Sequence, residues 1–276
     1  MTITIIGGGI IGLTTAFELT ERGESVHLID AETSDYGTAD DGTALYPAAS
    51  HYAGGMLAPI AEVQFQQDAL FPLMTASADA YPSLMERLSR ATDLPTGYDT
   101  TGTLIVAADR ADAEHLQRTR AYYRDMNRPA DAITPTQART LEPLLAPRIA
   151  GAVSIPSDHQ LHPRLMRRAL KDALTRRGVT FSTERVTNPD AGDIICTGLG
   201  ATPHGDYPLR PVYGDILRLR TPRPILKHVV RGYVNSRPVY LIPRPDGELC
   251  IGATSREDHR TLPAIDGEQA ETVAKL

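Results

Sequence analysis

At 276 residues, with 41% hydrophobic and 22% charged residues, the chain has the make-up of a folded globular protein and is long enough for two domains. A net charge of -6, with arginines dispersed among acids, argues against nucleic acid as a partner. No basic apolar leader precedes the first strand and no apolar run nears the roughly 18 residues of a membrane span, so no membrane association and a cytoplasmic location are the default expectations.

The stretch "ITIIGGGIIGLTTAFELTERGESVHLID", Ile3 to Asp30, reads as strand, tight turn, helix and second strand. Gly7, Gly9 and Gly12 have G-x-G-x-x-G spacing. The first allows the turn, the second lets backbone approach a pyrophosphate, and the third lets helix pack on strand. Ile10 and Ile11 fall at the helix start, whose free N–H groups receive phosphates. Asp30, with Ala31 after it, ends the second strand. A carboxylate there accepts hydrogen bonds from ribose hydroxyls and repels a 2′-phosphate, which disfavours NADP. The pattern predicts a dinucleotide and leaves NAD and FAD both open.

The next stretch, from Ala31 to Pro59, is small, polar and turn-forming, without a clear third strand. Asp35 to Thr43 reads as a surface excursion. Ser50 to Pro59, with Ala53, Gly54 and Gly55, reads as a loop lying along a bulky ligand. Ala69 to Ala91 is helical with an interruption at Pro82, and "GTLIVA" (Gly102 to Ala107) is a strand. Asp109 caps a helix through Met126, "NRPADAITP" is a linker, and Thr134 with Pro135 starts another helix. "AGAVSIP" is a strand. Pro163 opens a helix with Leu165, Met166, Ala169, Leu170, Ala173 and Leu174 on its apolar side, ending at Gly178. "GVTFS" and "DIICTGLGA" resemble parallel-sheet strands, whereas "VYGDILRLR", "RPVYLIPR" and "ELCIGATS" alternate as antiparallel strands do. Cys196 and Cys250 sit in apolar runs and read as buried, inert thiols. His159 and His162 lack a third partner in sequence, so no metal is expected.

Several of these segments, "SHYAGGMLAP", "YDTTGTLIVA", "SDHQLHP", "IICTGLGA", "RPVYGDILRLR" and "PVYLIPRPDGELCIGATS", come in the order found in the FAD-dependent D-amino-acid oxidase family. The chain resembles its glycine oxidase branch over nearly the whole length. The resemblance implies an α/β fold: a Rossmann-like FAD-binding domain (1–88 and 149–209) interleaved with an antiparallel-sheet substrate domain (89–148 and 210–264), and a return to the FAD domain opening at 265–276. It implies non-covalent FAD, since neither cysteine lies where the family attaches a flavin. It also implies oxidative deamination of glycine or another small amino acid: hydride passes from the α-carbon to flavin N5, the imine hydrolyses, and oxygen yields hydrogen peroxide. The partners are then a small amino acid and molecular oxygen, with a homo-oligomer left open and a role in thiamine biosynthesis implied.

Carried over by resemblance, Gly7, Gly9, Gly12 and Asp30 match the FAD fingerprint, and Ser50, Gly54, Gly55 and Met56 match the loop passing the flavin. Thr197, Gly198 and Gly200 match the turn near the cofactor, with Val186 toward the adenine. Tyr240 matches the tyrosine that helps bind the substrate carboxylate. Arg244 reads as a structural or surface arginine. The family's C-terminal segment supplies a carboxylate-binding arginine that has no counterpart here, so a truncated enzyme, or an FAD-binding remnant without catalysis, stands beside the oxidase reading. A D-amino-acid or sarcosine-type oxidase is the nearest enzymatic alternative.

Overall fold

The computed structural model describes residues 1–31, 49–63, 68–188, 192–201, 210, 212–234, 237–255 and 257. In chain order, β1 (Thr2–Ile6), α1 (Ile10–Glu21) and β2 (Ser25–Asp30) are followed by α2 (Ala49–Tyr52), β3 (Met56–Leu57), α3 (Pro59–Glu62) and α4 (Phe71–Ala91). Then come β4 (Thr103–Ala107), α5 (Arg110–Asp125), β5 (Asp131–Ile133), α6 (Pro135–Leu141), β6 (Gly151–Ile155), β7 (His159–Gln160) and α7 (Pro163–Arg176). The remainder holds β8 (Thr180–Thr183), β9 (Ile194–Ile195), a 3₁₀ turn at Gly198–Ala201, β10 (Ile216–Arg220), β11 (Val229–Val234), β12 (Arg237–Pro243) and β13 (Glu248–Gly252).

Chain contacts divide these into two units. The first comprises Met1–Ala53, Pro82–Gly97 and His162–Pro211. Its sheet has the order β8-β2-β1-β9 with every pair parallel, Ile5 lying opposite both Leu28 and Ile194. α7 buries Met166, Ala169, Leu170, Ala173 and Leu174, the stripe its sequence announces, and it packs with α1, which buries Leu13, Ala16 and Phe17. The Arg177 guanidinium lies 4.5 Å from the Phe17 ring centre.

The second unit comprises Gly54–Tyr81, Tyr98–Leu161 and Val212–Leu276. Its seven-stranded sheet has the order β10-β13-β12-β11-β4-β6-β5. An antiparallel sheet is expected from the alternating sequence, and one pair departs from that: β4 and β11 run parallel, Ile105 opposite Arg231. β4 is buried at all five positions, which explains why "TLIVA" lacks alternation. Ile105 and Ala107 join one apolar cluster with Leu116, Tyr123, Val153 and Ile155. Val106 joins the opposite one with Ala152, Val230, Val239 and Ile251.

Four local readings are corrected. α4 runs unbroken through Pro82, whose ring removes one helical donor; burial of Leu84 and Leu88 beyond it offsets that loss, and the division between units falls at Tyr81–Pro82. The "linker" contains β5, a short edge strand made legible only by its pairing with β6. "AGAVSIP" belongs to the second unit, because β6 pairs with β4, and residues 54–81 group there too, so the unit edges differ from the expected 88 and 149. Cys250 is buried, but Cys196, just past β9, is only half-buried. The readings at 35–43 and 265–276 lie outside the described residues.

The helix starts follow their capping residues. Asp109 accepts the Asp112 N–H at 2.9 Å, and Thr134 with Gln137 forms a reciprocal capping box at the head of α6. Thr134→Ala is expected to lower stability by about 1 kcal/mol, visible as a reduced urea midpoint.

Candidate functional site

In the first unit the β1–α1 turn is shaped by absent side chains. Gly7 has φ +108°, and a Cβ on Gly12 would lie 1.9 Å from the Gly7 carbonyl oxygen, so helix and strand meet backbone to backbone. Gly9 caps α1 without a side-chain bond. The Ile10 N–H points at Ser50 Oγ, 3.3 Å away, and Ile11 is 68% exposed on the first turn.

Asp30, at the end of β2, folds back on the turn: a Cβ on Gly8 would lie 2.3 Å from its Oδ2. Gly8 therefore belongs to the constellation although it stands outside the G-x-G-x-x-G pattern. Ala31 follows directly. The Glu184 N–H donates to the Asp30 carbonyl at 3.0 Å, which brings the loop bearing half-buried Val186 to the β2 end.

Across the turn, the Cys196 N–H donates to Ile6 O at 2.7 Å, so the chain arrives at Thr197 beside Gly7. Thr197 Oγ1 is buried and bonds to no described residue; Gly198 has φ +57° and Gly200 lies in the 3₁₀ turn. Arg167 of α7 directs Nη2 to the Gly8 carbonyl at 3.5 Å. A bare backbone turn at a helix start, a carboxylate at the strand end and a buried hydroxyl that bonds to no described residue are parts that a dinucleotide site uses.

The second unit carries the other candidates. Tyr240 on β12 lies between Arg231 of β11 and Gly252 of β13 in register. A Cβ on Gly252 would sit 2.5 Å from the Tyr240 hydroxyl oxygen, so that glycine makes the tyrosine's room. Burial, with Glu62 adding and Arg231 opposing, pushes the Tyr240 phenol up to about 12. It stays a neutral donor at ordinary pH.

Gly54, Gly55 and Met56 fall in this unit, while Ser50 falls in the first, so the expected flavin loop is divided between them. The Gly54 carbonyl accepts from Arg244 Nη2, whose Nη1 donates to Gln160 Oε1 at 2.9 Å. Arg244 is 2% exposed, which makes it a buried structural arginine and excludes the surface reading; burial lowers its pKa. The Gly55 carbonyl accepts the Leu161 N–H at 2.9 Å, and Met56 pairs with Gln160. His159 Nδ1 lies 2.7 Å from the Tyr98 hydroxyl.

Two groups here carry no local sequence signal. Asp158, fully buried, accepts the N–H of Ala61 at 2.9 Å and of Ile60 at 3.3 Å, and burial pushes its carboxyl up to about 7 against those bonds. Arg231 holds Glu62 Oε1 at 2.8 Å and lies 5.9 Å from the Tyr240 ring centre.

The family model described as "DAO: FAD dependent oxidoreductase" matches residues 2–276. The chain belongs to that family. It is an oxidoreductase that takes FAD, which settles the choice between dinucleotides. It is 28% identical over 277 residues to the glycine oxidase of Geobacillus kaustophilus, covering 92% of this chain and 70% of that one. The crystal structure of glycine oxidase from that organism superposes with a TM-score of 0.80 at 26% identity, over 99% of this chain and 77% of the other. The putative thiamine biosynthesis oxidoreductase ThiO of Rhizobium etli is 30% identical over 263 residues, with 93% and 72% covered. The bifunctional protein ThiO/ThiG of a Nostoc species is 27% identical over 274 residues; the chain spans 40% of its length. Among the described residues, no helix is long and apolar enough to cross a membrane.

Proposed function

We propose that the chain oxidises a small amino acid, glycine foremost, to its imine, with hydrolysis to the keto acid and ammonia and with formation of hydrogen peroxide from oxygen. The observation that carries this reading is the placement of Tyr240, a neutral tyrosine whose hydroxyl takes the room left by Gly252 and whose ring centre lies 5.9 Å from the guanidinium of Arg231 on the neighbouring strand. The names of the glycine oxidase and ThiO relatives support it, and with them a role in thiamine biosynthesis.

FAD, when bound, supplies the acceptor for the hydride that leaves the α-carbon. In this reading the chain's own contribution is placement. N–H groups at the head of α1 meet the pyrophosphate, Asp30 accepts from ribose hydroxyls, and Thr197 Oγ1, which bonds to no described residue, gives a further hydrogen bond. Gly54, Gly55 and Met56 line the flavin's path, and Val186 lies toward the adenine. Tyr240 donates to the substrate carboxylate.

Anaerobic addition of glycine to the FAD-loaded protein is expected to bleach the visible flavin bands, and readmitted air to restore them with release of hydrogen peroxide. Bands that persist with glycine, sarcosine and D-alanine alike would defeat the amino-acid oxidase reading.

A further inference from the structure

The geometry points to a second reactive site, in the first unit and separate from the oxidase chemistry: Ser182, His27 and Thr180 form a relay in which Ser182 is acylated by small carboxylic esters. His27 is its general base, and Thr180 is a positioning residue that holds the imidazole.

Strands of a parallel sheet are ordinarily covered on both faces and read as apolar runs. One face of this sheet obeys that rule. Val26 and Leu28 of β2 are 4% and 2% exposed, and the ring centre of Phe181, opposite Leu28 on β8, lies 5.7 Å from Lys171 Nζ on α7. The other face breaks the rule at β2 and β8, where His27 and Ser182 are half-buried and Thr180 is exposed. These three polar side chains are hydrogen-bonded in a row, and an exception to local preference concentrated in one connected group is what a functional site produces.

The register sets the row. Thr180 lies directly opposite His27, and Ser182 lies one pleat further along β8, opposite Ile29. Strand residues alternate between faces, so these four share one. The imidazole meets a hydroxyl at each nitrogen: Nδ1 is 2.7 Å from Thr180 Oγ1, and Nε2 is 3.2 Å from Ser182 Oγ. A neutral imidazole has one N–H and one lone pair, so one hydroxyl accepts from it and the other donates. With the N–H on Thr180, the shorter contact, the lone pair faces Ser182, which as a primary hydroxyl is the less hindered nucleophile. Nucleophile, base and orienting group then stand in the order that activates a serine. Ile29, half-buried beside Ser182, gives a short acyl group an apolar bed.

In the first step Ser182 Oγ bonds to the ester carbonyl carbon while His27 Nε2 takes the hydroxyl proton. The bond to the leaving oxygen breaks with its electron pair, and the imidazolium returns the proton to that oxygen. The products are an alcohol and an acyl ester on Ser182, which water cleaves to a carboxylic acid and the free serine.

The test uses FAD-loaded protein with 4-nitrophenyl acetate, read by release of nitrophenol and by peptide mass mapping of the acetyl group. Retained flavin and the thermal midpoint report folding. Acetylation of Ser182 is expected in the parent. It should slow by about 100-fold in His27→Ala, the lower end of what a positioned general base contributes, and recover in part when imidazole is added. Thr180→Val should slow it as well, and Thr180→Ser should restore it.

A parent left unmodified at Ser182, or acetylated at another residue in its place, would overturn the assignment. So would a folded His27→Ala protein acetylated at the parent's rate. Should that variant fail to fold, His27→Gln, which keeps hydrogen-bonding groups and removes the base, takes its place with the same two outcomes.

Discussion

Gly12→Val is expected to yield protein purified almost without flavin. The new Cβ would lie 1.9 Å from the Gly7 carbonyl oxygen, far inside van der Waals contact, and the obstacle is backbone that cannot swing away. The β1–α1 turn must open, which lifts the helix N–H groups off the pyrophosphate. A displacement of about 1 Å at a positioning element costs on the order of 100-fold, and overpacking adds about 1–3 kcal/mol of instability. Gly23→Ala is the matched control. Its φ of +84° strains an alanine by about 1–2 kcal/mol, yet nothing lies within 4 Å of the added methyl, so flavin content should hold. Absorbance ratios of the two purified variants decide the matter; a yellow Gly12→Val protein would refute the role given to this contact.

Asp158 makes stability depend on pH in a defined window. Burial raises its carboxyl from 3.8 to about 7, against the pull of the Ala61 and Ile60 N–H groups. The folded chain therefore holds this proton more tightly than the unfolded chain does. The resulting stability is fully present below the unfolded value of 3.8 and is lost as pH rises through about 7. Each pH unit between those two values removes about 1.4 kcal/mol, so the loss across the whole window approaches about 4 kcal/mol. In Asp158→Asn that dependence disappears, while loss of one acceptor imposes a penalty of about 1 kcal/mol at every pH. The expected result is a variant whose urea midpoint exceeds the parent's by little at pH 5, where the parent has lost about 1.7 kcal/mol, and by far more at pH 8, where the parent has lost about 4 kcal/mol. An identical gap at both pH values would show that Asp158 does not titrate in this range.

What the sequence disclosed was chemistry confined to a few neighbouring residues. Asp109 and Thr134 announce helices because a cap acts within three residues, and the apolar stripe of α7 repeats at the helical period. The glycine fingerprint and Asp30 are legible because turn and strand end follow a known spacing. Arg231 and Glu62 gave no such signal; 169 positions separate them and only the register of β11 against β12 gives the arginine its setting. Gly8 escaped notice because its constraint comes from Asp30, not from the turn, and Arg167 because its partner is a backbone carbonyl 159 positions earlier. Asp158 gave no local signal, since its partners are backbone N–H groups almost a hundred residues earlier. Tyr240 was visible only through resemblance, since an aromatic residue in a strand is ordinary by itself.

The parallel pairing of β4 with β11 also governs when the second sheet can exist. β4, β6 and β5 are neighbours in sequence and can associate early, and β11, β12 and β13 form a second antiparallel run. Among the described residues, the register of Thr103–Ala107 against Val229–Tyr233 joins them, across a span that includes α7 and most of the parallel sheet. Loop closure over such a distance is slow, and on the ribosome it waits until β11 has emerged. Until then β4, apolar at nearly every position, presents one open edge. A nascent chain of this kind is exposed to mispairing there, and chaperone demand during synthesis should centre on that strand.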